Sequence, residues 1–65
     1  MDNTKIGQKL KELRGDKTQE KVAKDVGITT SALGNYEVGL RVPRDEIKKA
    51  LASYYKVGVD YIFFT

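Results

Sequence analysis

Sixty-five residues, a formal charge of +3 and the absence of both Cys and His bound what this chain can be. A chain this short buries only about 60% of its unfolded surface, so one domain spanning residues 1–65 is expected. Without thiol or imidazole there is no disulfide framework, no usual zinc site and no Cys nucleophile or His base, so neither an enzyme nor a metal or cofactor protein is expected.

No apolar run approaches the roughly 20 residues that span a bilayer. The start, MDNTKIGQKL, lacks the apolar stretch of a signal peptide. A cytoplasmic protein without a membrane or small-molecule substrate is expected. The mild basic excess suits a polyanionic partner, although charge alone fits many small proteins.

Ile6, Leu10 and Leu13 recur at helical spacing between charged residues, so the first helix is predicted over about Thr4 to Arg14. The turn GDKT stops it, with Gly15 as C-cap and Thr18 as the N-cap of the next helix. Val22, Ala23 and Val26 mark a second short helix from Gln19, ended by Gly27. Thr29 caps a third that runs to about Glu37, and Gly39 with Pro43 then enforces a loop.

In RDEIKKALASYYKV, acidic residues in the first turn and Lys56 near the end complement the dipole of a fourth helix. Its apolar stripe is Ile47, Leu51 and either Tyr54 or Tyr55. Asp60 is expected to cap a last short helix, YIFF. No segment alternates with period two, so the fold class is all-α, a compact bundle of five short helices.

The second and third helices share a spacing with a physical reason. Counting from Gln19, the small Ala23 comes fifth, where two steeply crossing helices approach closely. Gly27 comes ninth, where the chain turns sharply, and Leu33 comes fifteenth, where an apolar side chain plugs the angle. That is helix-turn-helix grammar.

The third helix is also two-sided. At about 100° per residue, Thr30, Ser31, Gly34, Asn35 and Val38 fall within an arc of about 140°. Thr29, Ala32, Leu33, Tyr36 and Glu37 occupy the opposite arc. The first arc carries no charge and no long side chain, as a surface pressed into the major groove of DNA requires. Without its surroundings, such a face reads more simply as solvated surface.

The run TQEKVAKDVGITTSALGNYEVGLRVP resembles the Cro/repressor-type helix-turn-helix family, also called the XRE family. It matches the family pattern at Thr18, Gln19, Glu20, Ala23, Gly27, Ile28, Thr29, Leu33, Tyr36, Glu37, Gly39, Arg41 and Pro43. The likeness extends over about Ile6 to Phe63. It implies a phage-repressor-like DNA-binding domain with the lambda-repressor-like arrangement of five helices. The implied function is a sequence-specific regulator of transcription, most often a repressor, that inserts helix three (about Thr30–Glu37) into the major groove of a palindromic operator as a homodimer.

Candidate base contacts are Thr30, Ser31, Gly34 and Asn35. The first two match positions that touch bases in relatives, Asn35 suits an adenine edge, and Gly34 lets the helix axis lie close to the bases. Candidate phosphate contacts are Gln19, Lys17, Lys21, Gly39, Arg41 and Arg44; Gln19 stands at a helix N-terminus and matches a phosphate-touching or buttressing Gln of the family. Glu37 lies at the edge of the buried arc, and the resemblance suggests an ion pair with Arg14 that locks helix three to helix one.

The chain departs from the family pattern in three places. Val38 stands where a polar or basic residue is usual, and Leu40 where Lys or Arg is frequent. The RGDKTQ connection is about two residues shorter than in many relatives, so helix one is expected to lose part of its last turn.

Two readings of the tail VDYIFF stand: a dimer interface through Tyr61–Phe64, or completion of the core. Ile62 is expected to point inward, leaving Tyr61, Phe63 or Phe64 exposed. The chain is either a complete regulator or the DNA-binding part of a longer one. The alternative class is an antitoxin-type protein-interaction module that also binds DNA, although no separate toxin-neutralising segment is evident.

Overall fold

The computed structural model describes residues 3–64, and among them there are five helices and no strand. They are α1 (Asn3–Arg14), α2 (Gln19–Val26), α3 (Thr30–Val38), α4 (Asp45–Tyr55) and α5 (Val59–Phe63). The short connection does not erode α1. The helix reaches Arg14, and Gly15 N–H bonds the Lys11 carbonyl at 3.3 Å.

Two threonines start the central pair of helices. Thr18 Oγ1 accepts the Lys21 N–H at 3.0 Å, and Thr29 Oγ1 accepts that of Ala32 at 3.0 Å. Each satisfies a donor that a helix start otherwise leaves unpaired, worth about 1 kcal/mol.

The expected Asp60 cap is corrected. Gly58 occupies the N-cap position, α5 begins at Val59, and Asp60 lies inside the first turn, where its charge still complements the dipole. Lys56 likewise lies beyond the end of α4. It is the C-cap, with φ 61°, and its N–H closes onto the Ala52 and Ser53 carbonyls.

Each helix gives at least one fully covered side chain to a single core: Leu10, Val22, Leu33, Leu51 and Ile62, all at 0% exposure. Burial of each such side chain stabilises by about 1.5–3 kcal/mol. Ile6, Ala23, Ala52 and Phe63 complete the centre, and both Tyr54 and Tyr55 pack against it. The tail therefore divides: Ile62 and Phe63 are core, whereas Tyr61 and Phe64 are exposed.

Helices α1 and α3 approach closely at Gly7. A Cβ there would overlap the backbone carbonyl oxygen of Glu37 and lie 2.8 Å from that of Tyr36. Only glycine permits this crossing, which fixes where α3 sits.

Candidate nucleic-acid interface

The turn between α2 and α3 is closed by the residues whose spacing singled them out. Gly27 takes φ 87°, a left-handed conformation that disfavours any side chain, and its N–H bonds the Ala23 carbonyl at 2.9 Å. Ile28 N–H bonds the same oxygen at 2.9 Å. Ala23 and Leu33 are both buried in the angle, so α3 leaves the turn in a fixed direction.

Within α3, from Thr30 on, exposure follows the two arcs, whereas the N-cap Thr29 is exposed. Leu33 and Glu37 are buried and Ala32 and Tyr36 half-buried. On the other arc Thr30, Ser31 and Val38 are exposed and Gly34 and Asn35 half-buried. Among the described residues, no hydrogen bond engages the side chains of Thr30, Ser31 or Asn35. Their donors and acceptors are open to an external partner.

Glu37 is the one charged residue of the buried set, at 6% exposure. Arg14 Nε donates to its Oε2 at 2.7 Å and Nη2 to its Oε1 at 3.2 Å, while Gln19 Nε2 donates to Oε1 at 2.9 Å. A carboxylate only accepts, so the Gln19 amide nitrogen must face it. Arg14 Nη1 also donates to the Lys17 carbonyl at 2.6 Å. One network thus joins the end of α1, the turn, the start of α2 and the end of α3, and the bond to Glu37 raises the Arg14 pKa further.

This network gives Gln19 an internal task. One of its amide N–H groups is committed to Glu37, and its oxygen lies beside Gly34, 3.6 Å from where a Cβ would stand. Gly39 also has an internal reason. It takes φ 85°, its N–H bonds the Tyr36 carbonyl at 3.3 Å, and a Cβ there would press within 3.2 Å of the backbone of Asn3 and Thr4.

Among the candidate phosphate contacts, Lys17, Arg41 and Arg44 are exposed, on the turn before α2 and the loop after α3. Lys21 is exposed as well, but its ammonium lies 3.2 Å from Asp25 Oδ2. The Tyr54 hydroxyl donates to that carboxylate at 2.8 Å and, with Lys21, holds it below the usual Asp range.

Three features of this scaffold escaped the sequence reading. Gly7 has no signal beyond being a glycine inside a helix, which already loses about 1 kcal/mol against Ala. The Tyr54–Asp25 bond joins residues 29 apart on different helices. The Tyr55 hydroxyl is buried without a hydrogen-bond partner among the described residues, and burial pushes its pKa up to about 12, with Glu37 adding to the shift.

A turn-locked helix with one uncharged, open face and basic residues at its flanks defines a helix-turn-helix DNA-binding domain. Comparison with known families agrees: a helix-turn-helix family model matches residues 10–62, and the chain belongs to that Cro/repressor-type, or XRE, family of DNA-binding regulators. No curated protein and no solved structure matches it at a significant level. Among the described residues, no helix is long and apolar enough to cross a membrane.

Proposed function

We propose that the 65-residue chain acts as one domain in the cytoplasm, a repressor of transcription that places α3 in the major groove of a palindromic operator. The observation that carries this reading is the open arc of α3. Its inward arc is held by Leu33 and the Glu37 network, while Thr30, Ser31 and Asn35 keep unpaired polar groups on a face without charge. Asn35 reads an adenine edge, Thr30 and Ser31 reach bases from the first turn, and Gly34 allows close approach.

Phosphates are held by Lys17, Arg41 and Arg44, with Lys21 contributing to the field. Gln19 serves mainly as a buttress, its free amide N–H directed at a phosphate. A single helix reads too few base pairs for specificity, so two copies bind half-sites about 34–36 Å apart. The exposed Tyr61 and Phe64 support pairing through the tail.

Selection of bound duplexes from a random pool, followed by anisotropy titration against salt, tests the proposal. An enriched palindrome is expected, bound two chains per site, with Asn35→Ala losing about 1–3 kcal/mol of discrimination. Arg41→Ala should weaken all duplexes alike and lower the salt slope by about one. A pool that stays random, with binding gone by about 0.2 M salt, leaves only nonspecific phosphate attraction and refutes specific readout.

A further inference from the structure

The base-reading arc of α3 holds five residues, Thr30, Ser31, Gly34, Asn35 and Val38, and none carries a charge. That composition selects among bases. Guanine is read best by Arg or Lys, whose donors fork onto its O6 and N7, and cytosine by a carboxylate accepting from its N4 amine. The arc has neither. Adenine is read by an amide, and thymine alone offers a methyl group to an apolar side chain.

Asn35 supplies the amide, and no hydrogen bond within the described residues draws it away. Val38 supplies the apolar group. It is 64% exposed at the last position of α3, on the arc that carries Gly34 and Thr30 about one and two turns earlier. Gly34 puts no side chain between the Val38 isopropyl group and the Thr30 methyl.

Val38 has no packing reason to be apolar, because it lies outside the core and is not among the hydrophobic residues packed against it. Asn35 and Val38 are about 4.5 Å apart along the helix axis, close to the roughly 3.4 Å rise of one base-pair step. That spacing would let them address neighbouring pairs with α3 lying along the groove.

Resting on the DNA reading above, we infer that α3 reads A·T pairs: adenine through Asn35 and, on the neighbouring pair, the thymine 5-methyl through Val38. Val38 is then a specificity-determining residue. The loop arginines Arg41 and Arg44 stand beyond the helix and leave this preference unchanged.

Uracil replacement isolates the methyl group. In the duplex enriched by selection, each thymine is replaced in turn by deoxyuridine, which removes only the 5-methyl and keeps the pairing. Wild type and Val38→Ala, an exposed position where alanine favours the helix, are titrated against the series. Wild type is expected to lose about fourfold in affinity at one thymine per half-site, the factor that burial of one methyl-sized group gives, and Val38→Ala to lose nothing further there.

G·C pairs enriched at the positions that Asn35→Ala and Val38→Ala affect overturn the inference while leaving sequence-specific binding in place. So does a uracil penalty that persists unchanged in Val38→Ala, or the absence of any penalty, since Val38 then reads no thymine methyl. A pool with no enriched sequence removes the DNA reading itself, and the inference with it.

Discussion

Replacing Gly34 with Ala separates stability from recognition at a single carbon. Gly34 lies inside α3 and has no positive φ, so alanine there gains about 1 kcal/mol of helix propensity. The new Cβ would stand 3.6 Å from Gln19 Oε1 and 3.8 Å from Nε2, ordinary contact that leaves the Gln19–Glu37 bond intact. Thermal unfolding followed by circular dichroism should show a Tm higher by about 4–8 °C per kcal/mol for a domain of this size. The same carbon occupies the face proposed to lie against the bases. Overfilling a fitted surface costs about 1–3 kcal/mol, so anisotropy titration of the selected duplex should show a Kd about 5- to 150-fold higher. A variant that is more stable and binds as tightly as wild type refutes the close approach, because glycine at 34 is then only tolerated. One that is less stable refutes the packing around it.

Gly7→Ala should behave oppositely: its Cβ overlaps the Glu37 carbonyl oxygen, so urea unfolding should show a net loss of about 2 kcal/mol or more despite the helix-propensity gain. An unchanged midpoint would sink that account. Arg14→Ala leaves the Glu37 side chain, 2% exposed, with Gln19 alone, and a loss of about 3–5 kcal/mol is expected. A 65-residue domain has only about 3–10 kcal/mol in total, so this variant approaches unfolding; the double variant Arg14→Met, Glu37→Leu should be the more stable of the two, and the reverse order argues against a desolvated pair. Tyr55→Phe removes an unpaired buried hydroxyl and should not destabilise at neutral pH. Because the folded-state pKa of Tyr55 is raised to about 12, its contribution is fully present below the ordinary value of about 10 and is lost as pH rises toward 12. Stability measured from pH 9 to 12 should therefore fall less steeply in Tyr55→Phe, and parallel curves would count against the shift.

What the sequence made legible was local. Thr18, Gly27 and Thr29 act within four residues of themselves, through a hydroxyl that reaches the third amide onward or a φ that only glycine favours, so their positions alone set both ends of α2 and the start of α3. Arg14 and Glu37 were legible for another reason: a carboxylate falling on a buried arc needs a cation, and the resemblance pointed to one. Gly7 was not legible, because its necessity comes from a backbone 30 residues away, and nothing in α1 announces which helix will cross it. The start of α5 was misplaced because Asp60 is a good cap by chemistry, yet Gly58 already supplies the extended backbone, with ψ 151°, from which a helix can begin.

The composition of α3 follows from how little the helix depends on its own propensity. Nine residues are too few to stay helical alone, and Thr30, Ser31, Gly34, Asn35 and Val38 are all weak helix formers. The helix is held instead by Leu33 in the core, by the Gly7 crossing and by the bonds from Arg14 and Gln19 to Glu37. Every one of those constraints acts on the inward arc or the backbone. The outward arc carries none of those constraints, and apart from Gly34, which lies beside Gln19, its residues can be exchanged within the limits of helix propensity without loosening the domain. Substitutions there should change which DNA is bound well before they change whether the chain folds.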